Sequence, residues 1–154
     1  MQNIEKEIEE LFRTNGGKIL LKTKESAKVL EYSKYWMDAR VAQGNGVIYV
    51  ELNTQKKYRI DHIICFRLQI SELKKFEIKQ MLSMLLIDRY GSTLSTKQVA
   101  NVFGMCRTTF DQHKGKGFLL QGIQYVDGGH YSFKVEDVVN SILQLDYVKT
   151  SAFN

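Results

Sequence analysis

Two cysteines and three histidines supply the strongest nucleophiles and metal ligands of this 154-residue chain. His62 and Cys65 stand three positions apart, so a helix through them carries both on one face. Zinc takes four ligands at characteristic spacings. The remaining supply, Cys106, His113 and His130, lies in the other half of the chain. The distribution therefore points to no metal and no cofactor. A Cys–His nucleophile pair fares no better, because Cys106 falls at a turn between two helical segments, where small residues are common. No glycine-rich phosphate loop and no convincing carboxylate pair is present. The chain is not read as an enzyme.

The remaining chemistry is ionic. Lys and Arg outnumber Asp and Glu by 22 to 17, a formal charge of +5, with a sequence pI of 9.1. Residues 1–70 hold twelve cations against nine anions, and the rest hold ten against eight. A mild excess shared between both halves permits nucleic-acid binding by counterion release without demanding it. Two cysteines make no disulfide framework, no signal-peptide pattern opens the chain, and the longest apolar stretch, 81–87, is far short of the ~20 residues of a membrane span. The default location is the cytoplasm, nucleoid-associated if DNA is bound, with no membrane partner.

The elements that must position these groups repeat at a constant offset of 73. Thr23-Lys24-Glu25-Ser26-Ala27-Lys28-Val29-Leu30 answers Thr96-Lys97-Gln98-Val99-Ala100-Asn101-Val102-Phe103, and the match continues at Asp38/Asp111, Gly44/Gly117 and Tyr58/Tyr131. Repeats of this length exceed the ~20–50 residues of solenoid units and indicate a small domain duplicated in tandem. Ile4, Ile8, Leu11 and Phe12 make the stripe of a leading amphipathic helix. Adding 73 to the last three gives Met81, Met84 and Leu85, so that helix is repeated as well. The division predicted is 1–70 and 71–154, each unit with its own leading helix.

Thr23 and Thr96 are suited to cap the next helix, and Ala27 and Ala100 allow a second helix to cross closely. Gly104-Met105-Cys106 supplies the turn in the second unit. Glu31-Tyr32-Ser33 occupies that place in the first without a glycine. Second helices follow over about 34–43 and 107–114, anchored by Trp36 or Met37 and by Phe110. Strands then follow: 47–52 against 57–60 across residues 53–56, and in the second unit 123–126 against 131–133 around Asp127-Gly128-Gly129, a strong hairpin signal. Closing helices are predicted over 63–68 and 135–145. No Pro, Gly or Ser-rich linker interrupts 70–75, which predicts one continuous helix joining the units.

From Leu94 to Leu143 the order of Thr-Lys-Gln-Val-Ala, a Gly turn, Cys-Arg-Thr-Thr-Phe, a hairpin with Gly-Gly-His-Tyr-Ser-Phe and then Val-Glu-Asp-Val resembles the excisionase/MerR-like winged helix-turn-helix family. Residues 21–68 carry the same order more faintly, without the turn glycine and two residues shorter before the closing helix. The resemblance implies a mainly α fold with small β-hairpin wings, in two tandem winged helix-turn-helix units. It also implies a second helix in the major groove and a wing on the adjacent backbone or minor groove.

Carried over by position, the second unit offers Arg107, Thr108, Thr109, Gln112 and His113 to the groove. Arginine suits guanine, glutamine suits adenine, and threonine suits a phosphate or a thymine methyl. Lys114 and Lys116 suit phosphates, and His130 and Lys134 sit in the wing. The first unit offers Lys34, Tyr35 and Arg40 on its helix and Lys56, Lys57 and Arg59 in its wing. The bulk of Tyr35-Trp36-Met37 reads more readily as core or protein contact than as a base reader. Asp38 and Asp111 would repel phosphate and are expected to hold a local cation. Glu136 and Asp137 suit the start of the last helix.

The resemblance therefore implies a sequence-specific double-stranded DNA-binding protein. Two readings share one mechanism: an excisionase-like recombination directionality factor of a mobile element, binding direct half-sites and bending DNA, or a small phage- or plasmid-type transcriptional regulator. A recombinase or RNA polymerase is the corresponding protein partner, and a homodimer is compatible with either. From a different class, the first unit could serve as a protein-interaction adaptor through Tyr35, Trp36 and the 81–87 helix.

Overall fold

The computed structural model describes residues 2–52, 55–113, 132–145 and 147–148. These form eight helices and six short strands in the order α1 (Gln2–Thr14), β1 (Leu20–Lys22), α2 (Thr23–Leu30), α3 (Lys34–Ala42), β2 (Tyr49–Leu52), β3 (Gln55–Arg59), α4 (Ile60–Leu68), α5 (Lys75–Tyr90), β4 (Thr93–Ser95), α6 (Thr96–Val102), α7 (Arg107–His113), β5 (Ser132–Lys134), α8 (Val135–Gln144) and β6 (Tyr147–Val148). The chain is mainly helical with two small antiparallel sheets. Among the described residues no helix is long and apolar enough to cross a membrane.

Two compact units are interleaved along the sequence. One comprises Met1–Leu11, Leu20–Leu73 and Asp146–Asn154; the other comprises Phe12–Ile19 and Lys74–Leu145. The expected division near residue 70 therefore marks only one of the crossings, because Phe12–Ile19 and β6 change sides. The expected continuous joining helix is absent. Gln69 takes the left-handed conformation (φ 57°) and ends α4, so residues 70–74 lie outside any helix.

In the first unit the sheet runs β1-β3-β2-β6, all antiparallel. The β2–β3 register closes at Leu52↔Gln55, a tighter connection than residues 53–56. Ala27, Leu30, Met37, Val47, Tyr58 and Ile63 are buried in this unit. In the second unit β4 pairs with β5, with Leu94 opposite Phe133. There α5 packs on α8 through apolar positions spaced for a helix face: Ile78, Leu82, Leu85 and Leu86 on one, Val135, Val138, Val139 and Ile142 on the other. Burying each such side chain stabilises by about 1.5–3 kcal/mol.

Local geometry recurs at the offset read from the sequence. The Lys22 N–H donates to Glu25 Oε1 at 2.9 Å, and the Ser95 N–H donates to Gln98 Oε1 at 2.8 Å. Ser95 Oγ also accepts from the Gln98 N–H at 3.2 Å, completing a capping box. The caps are thus Lys22 and Ser95, one residue before Thr23 and Thr96, which form the first residue of each helix. A side chain three positions downstream, not the threonine hydroxyl, determines where each helix begins. At the third strand the offset becomes 75, because Tyr58 faces Leu21 as Phe133 faces Leu94. Tyr131, its expected counterpart, lies outside the described residues.

Candidate nucleic-acid interface

In the second unit, α6, a short turn and α7 form a hydrogen-bonded bracket. Gly104, at φ 68°, and Met105 direct their N–H groups to the carbonyls of Asn101 and Ala100, both at 2.9 Å. These two bonds reverse the chain after α6. The Phe110 N–H then donates to Cys106 O at 3.0 Å and opens α7. Phe110 is fully buried, its ring 6.2 Å from Phe103 and 6.3 Å, edge-on, from Phe133. With that side inward, Arg107 and Thr108 are exposed at the start of α7, and Thr109 is half-buried.

Arg107 Nε lies 3.7 Å from Asp111 Oδ2 one helical turn on. Both side chains are largely exposed, so this pair is worth little in water and yields readily to a stronger anion. Asp111 is thereby placed as the local cation holder expected of it. Cys106 Sγ lies 3.0 Å from Thr109 Oγ1, and hydrogen bonding from the Thr109 hydroxyl and its backbone lowers the Cys106 pKa. Lys134 is exposed at the end of β5, paired across to Thr93. Gln112 and His113 belong to α7, but their side chains lie outside the described residues. So do Lys114, Lys116, His130 and the expected 123–133 hairpin, apart from its last strand.

The first unit builds the same bracket with different surfaces. Ser33 Oγ accepts from the Trp36 N–H at 3.0 Å, and the Met37 N–H donates to Ser33 O at 3.1 Å. Met37 is buried in place of Phe110. Lys34 is exposed, and Tyr35 is 82% exposed. Tyr35 is thus a surface residue and not core, whereas Trp36 stacks on Tyr32 at 3.8 Å. Lys56 Nζ lies 3.8 Å from Asp38 Oδ1 and 5.7 Å from the centre of the Tyr49 ring.

Three expected contacts in this unit are corrected. Lys57 and Arg59 are 2% and 3% exposed, and cannot reach a phosphate. The helices α2 and α4 pack against β3, and Lys57, Tyr58 and Arg59 are buried in succession. Both faces of the strand are covered. Arg59 donates from Nε and Nη2 to the two oxygens of Asp61, at 3.0 and 2.8 Å, at the start of α4. Burial alone would push the Asp61 carboxyl up, but the neighbouring His62 and Arg59 charges hold it below the ordinary range. Arg40 is half-buried with its guanidinium 5.2 Å from the centre of the Trp36 ring, on the side of α3 away from Tyr35.

The sequence reading omits Lys22, Lys24 and Lys97, all exposed around the starts of α2 and α6. Lys24 and Lys97 are themselves related by 73. Their signal was present in the Thr-Lys pair, which was read only as a cap. Helix N-termini present free amides and positive potential to anions, and these lysines add charge there, in the first unit at α2 and in the second at α6. Elsewhere, Cys65 is buried with its thiol pushed up to about 11, chiefly by burial. His62 lies 3.8 Å from Asp61 and 4.0 Å from Glu72. Among the described residues no group of three or more His, Cys, Asp or Glu side chains is arranged around a metal position.

No protein-family model, no curated protein and no solved structure matches the chain.

Proposed function

We propose that the chain is a sequence-specific double-stranded DNA-binding protein made of two tandem winged helix-turn-helix units. The observation that carries this reading is the exposed Arg107-Thr108 edge of α7, held outward by the buried Phe110 behind a capped helix and a left-handed turn. A short helix fixed at both its start and its inward side presents the same few side chains in every molecule. Arg107 supplies a bidentate donor suited to guanine, and Thr108 a methyl and hydroxyl suited to thymine or phosphate. Lys97 and Lys134 supply cations for the flanking backbone.

The first unit contributes Lys24, Lys34 and Lys56 to phosphates and reads little sequence, since Tyr35 and Lys34 stand where Thr108 and Arg107 stand in the second. Excisionase-like control of recombination, through direct half-sites and DNA bending, is the favoured role. Transcriptional regulation by the same contacts is the alternative. Selection of bound duplexes from a random library tests the core of the proposal. Enrichment of one motif, with a guanine whose recovery depends on Arg107, is expected. Recovery of unenriched DNA, or of none, refutes it.

A protein-interaction role has its own supporting observation. Tyr35 in the first unit and Phe76, Met84 and Ile87 on α5 are exposed large apolar side chains. Light scattering in the absence of DNA distinguishes this reading, since a concentration-independent monomer leaves these residues without a self-association role.

A further inference from the structure

Past the end of α4 the chain is tied back to that helix. Residues 70–74 lead from the left-handed Gln69 to α5 and into the second unit. Still within the first unit, the Ile70 N–H donates to Cys65 O at 3.0 Å, and the Leu73 N–H hydrogen-bonds the Cys65 sulfur. Glu72 Oε1 lies 4.0 Å from His62 Nε2, and both residues line a cavity of about 690 Å³ beside Trp36. The His62 side chain is 1% exposed and that of Glu72 28%. One partner is fixed in the interior, and the other can turn to water.

On its other side His62 Nε2 lies 3.8 Å from Asp61 Oδ2, and both Asp61 oxygens accept from Arg59. Arg59 and Asp61 therefore cancel, which leaves the Glu72 carboxylate facing His62. The elements packed on α4 bring other groups. β3 also carries the buried Lys57, and α2 brings Ala27 and Leu30. On the cavity wall Arg67 is engaged by Glu7, and the Arg40 guanidinium of α3 lies over the Trp36 ring. The Cys65 thiol, pushed up to about 11, is uncharged at neutral pH.

We propose that His62 and Glu72 form a charge-gated clasp on the segment that leaves the first unit. With His62 protonated, Arg59, Asp61, His62 and Glu72 sum to zero, and Glu72 stays seated against the ring. With His62 neutral, nothing on the ring repays the desolvation of the carboxylate. Glu72 then turns to water, and the hold on residues 70–73 weakens. Histidine is the side chain whose charge changes between about pH 5 and 8, a range in which ordinary carboxylates stay ionised. The clasp makes the exit from the first unit firm on the acid side and loose on the basic side. It is independent of whether α7 reads DNA.

Two signals from the full chain test this. The His62 ring resonance, identified by its loss in His62→Gln, reports the charge. Hydrogen exchange of the Leu73 amide, corrected for the intrinsic change of rate with pH, reports the clasp. As the pH rises through about 5 to 8, Leu73 protection should fall about fivefold or more, the worth of one ion pair, with the midpoint of the ring. Glu72→Gln alters a partly exposed side chain and should leave the fold intact. In that variant the ring should still titrate, while Leu73 exchanges at the fast rate throughout. A ring that does not titrate in this range, Leu73 protection that ignores its midpoint, or an unchanged profile in Glu72→Gln overturns the inference.

Discussion

Glu31 and Gly104, 73 positions apart, adopt the same left-handed backbone conformation, at φ 60° and 68°. Each closes a helix with the same two hydrogen bonds: Glu31 to Lys28 and Tyr32 to Ala27, Gly104 to Asn101 and Met105 to Ala100. The turn needs a positive φ, and only one copy supplies the residue that accepts it freely. The geometry persists without glycine because the flanking bonds and the buried Ala27 and Met37 fix where the chain must go.

The turn makes an asymmetric prediction for stability. A non-glycine residue held left-handed costs about 1–2 kcal/mol, offset in Glu31→Gly by about 0.4–1 kcal/mol of added unfolded-state freedom. Glu31→Gly should therefore raise the Tm slightly, and Gly104→Ala should lower stability by about 1–2 kcal/mol. Paired denaturant melts check both; a destabilised Glu31→Gly protein would contradict the strain argument.

The buried Arg59–Asp61 pair should behave as structure and not as a phosphate contact. Asp61→Asn strands a buried guanidinium and should cost about 3–5 kcal/mol. The Asp61 carboxyl is held below its ordinary value of 3.8 in the folded protein, so the unfolded chain takes up its proton first as pH falls. Its contribution is complete above about pH 4 and is lost progressively below that. Urea melts between about pH 5 and 2.5 should show this loss in wild type and a shallower one in Asp61→Asn. A pH-independent difference between the two proteins contradicts the assignment.

The two thiols should separate cleanly. Cys106 is exposed with a lowered pKa, and Cys65 is buried with its pKa near 11. A disulfide reagent at neutral pH should label one thiol quickly and the other only on unfolding. Thr109→Val should slow the fast phase by removing the hydroxyl. Because Cys106 precedes Arg107, specific duplex should also protect it. Two equally fast thiols, or none, would be inconsistent with this packing.

Exposed and buried cations should divide in their salt dependence. Lys134→Ala should lower the slope of log affinity against log salt by about 1, one phosphate contact, with little change in Tm. Arg59→Ala should do the reverse, lowering the Tm. Anisotropy titrations at several salt concentrations, beside thermal melts, separate the two effects. A slope change in Arg59→Ala with unchanged stability would restore Arg59 to the surface.

Much of the architecture was legible in the residues because it rests on local patterns. The stripe of Ile8, Leu11 and Phe12, the helix containing Ala100, and the buried Phe110 each follow from spacing and residue type. The caps were misplaced by one residue because Thr23 and Thr96 are good caps in isolation, whereas Glu25 and Gln98 reach back to the preceding N–H. The fate of Lys57 and Arg59 was not legible. A strand with basic residues looks solvated until the helices α2 and α4 are packed against it. The break after Leu68 was hidden too, since Gln69 bends left-handed without the glycine that would announce it. The cavity beside Trp36 arises from residues spread over 30–72, a juxtaposition no local pattern encodes.

The most direct test of the account is the affinity of wild-type and Arg107→Ala proteins for a duplex recovered by selection and for a scrambled one, at matched salt. Loss of about 1–3 kcal/mol on the selected duplex, with near-equal binding to the scrambled one, is the predicted result. Equal loss on both duplexes, or no loss on either, would contradict the claim that the outward edge of α7 reads bases.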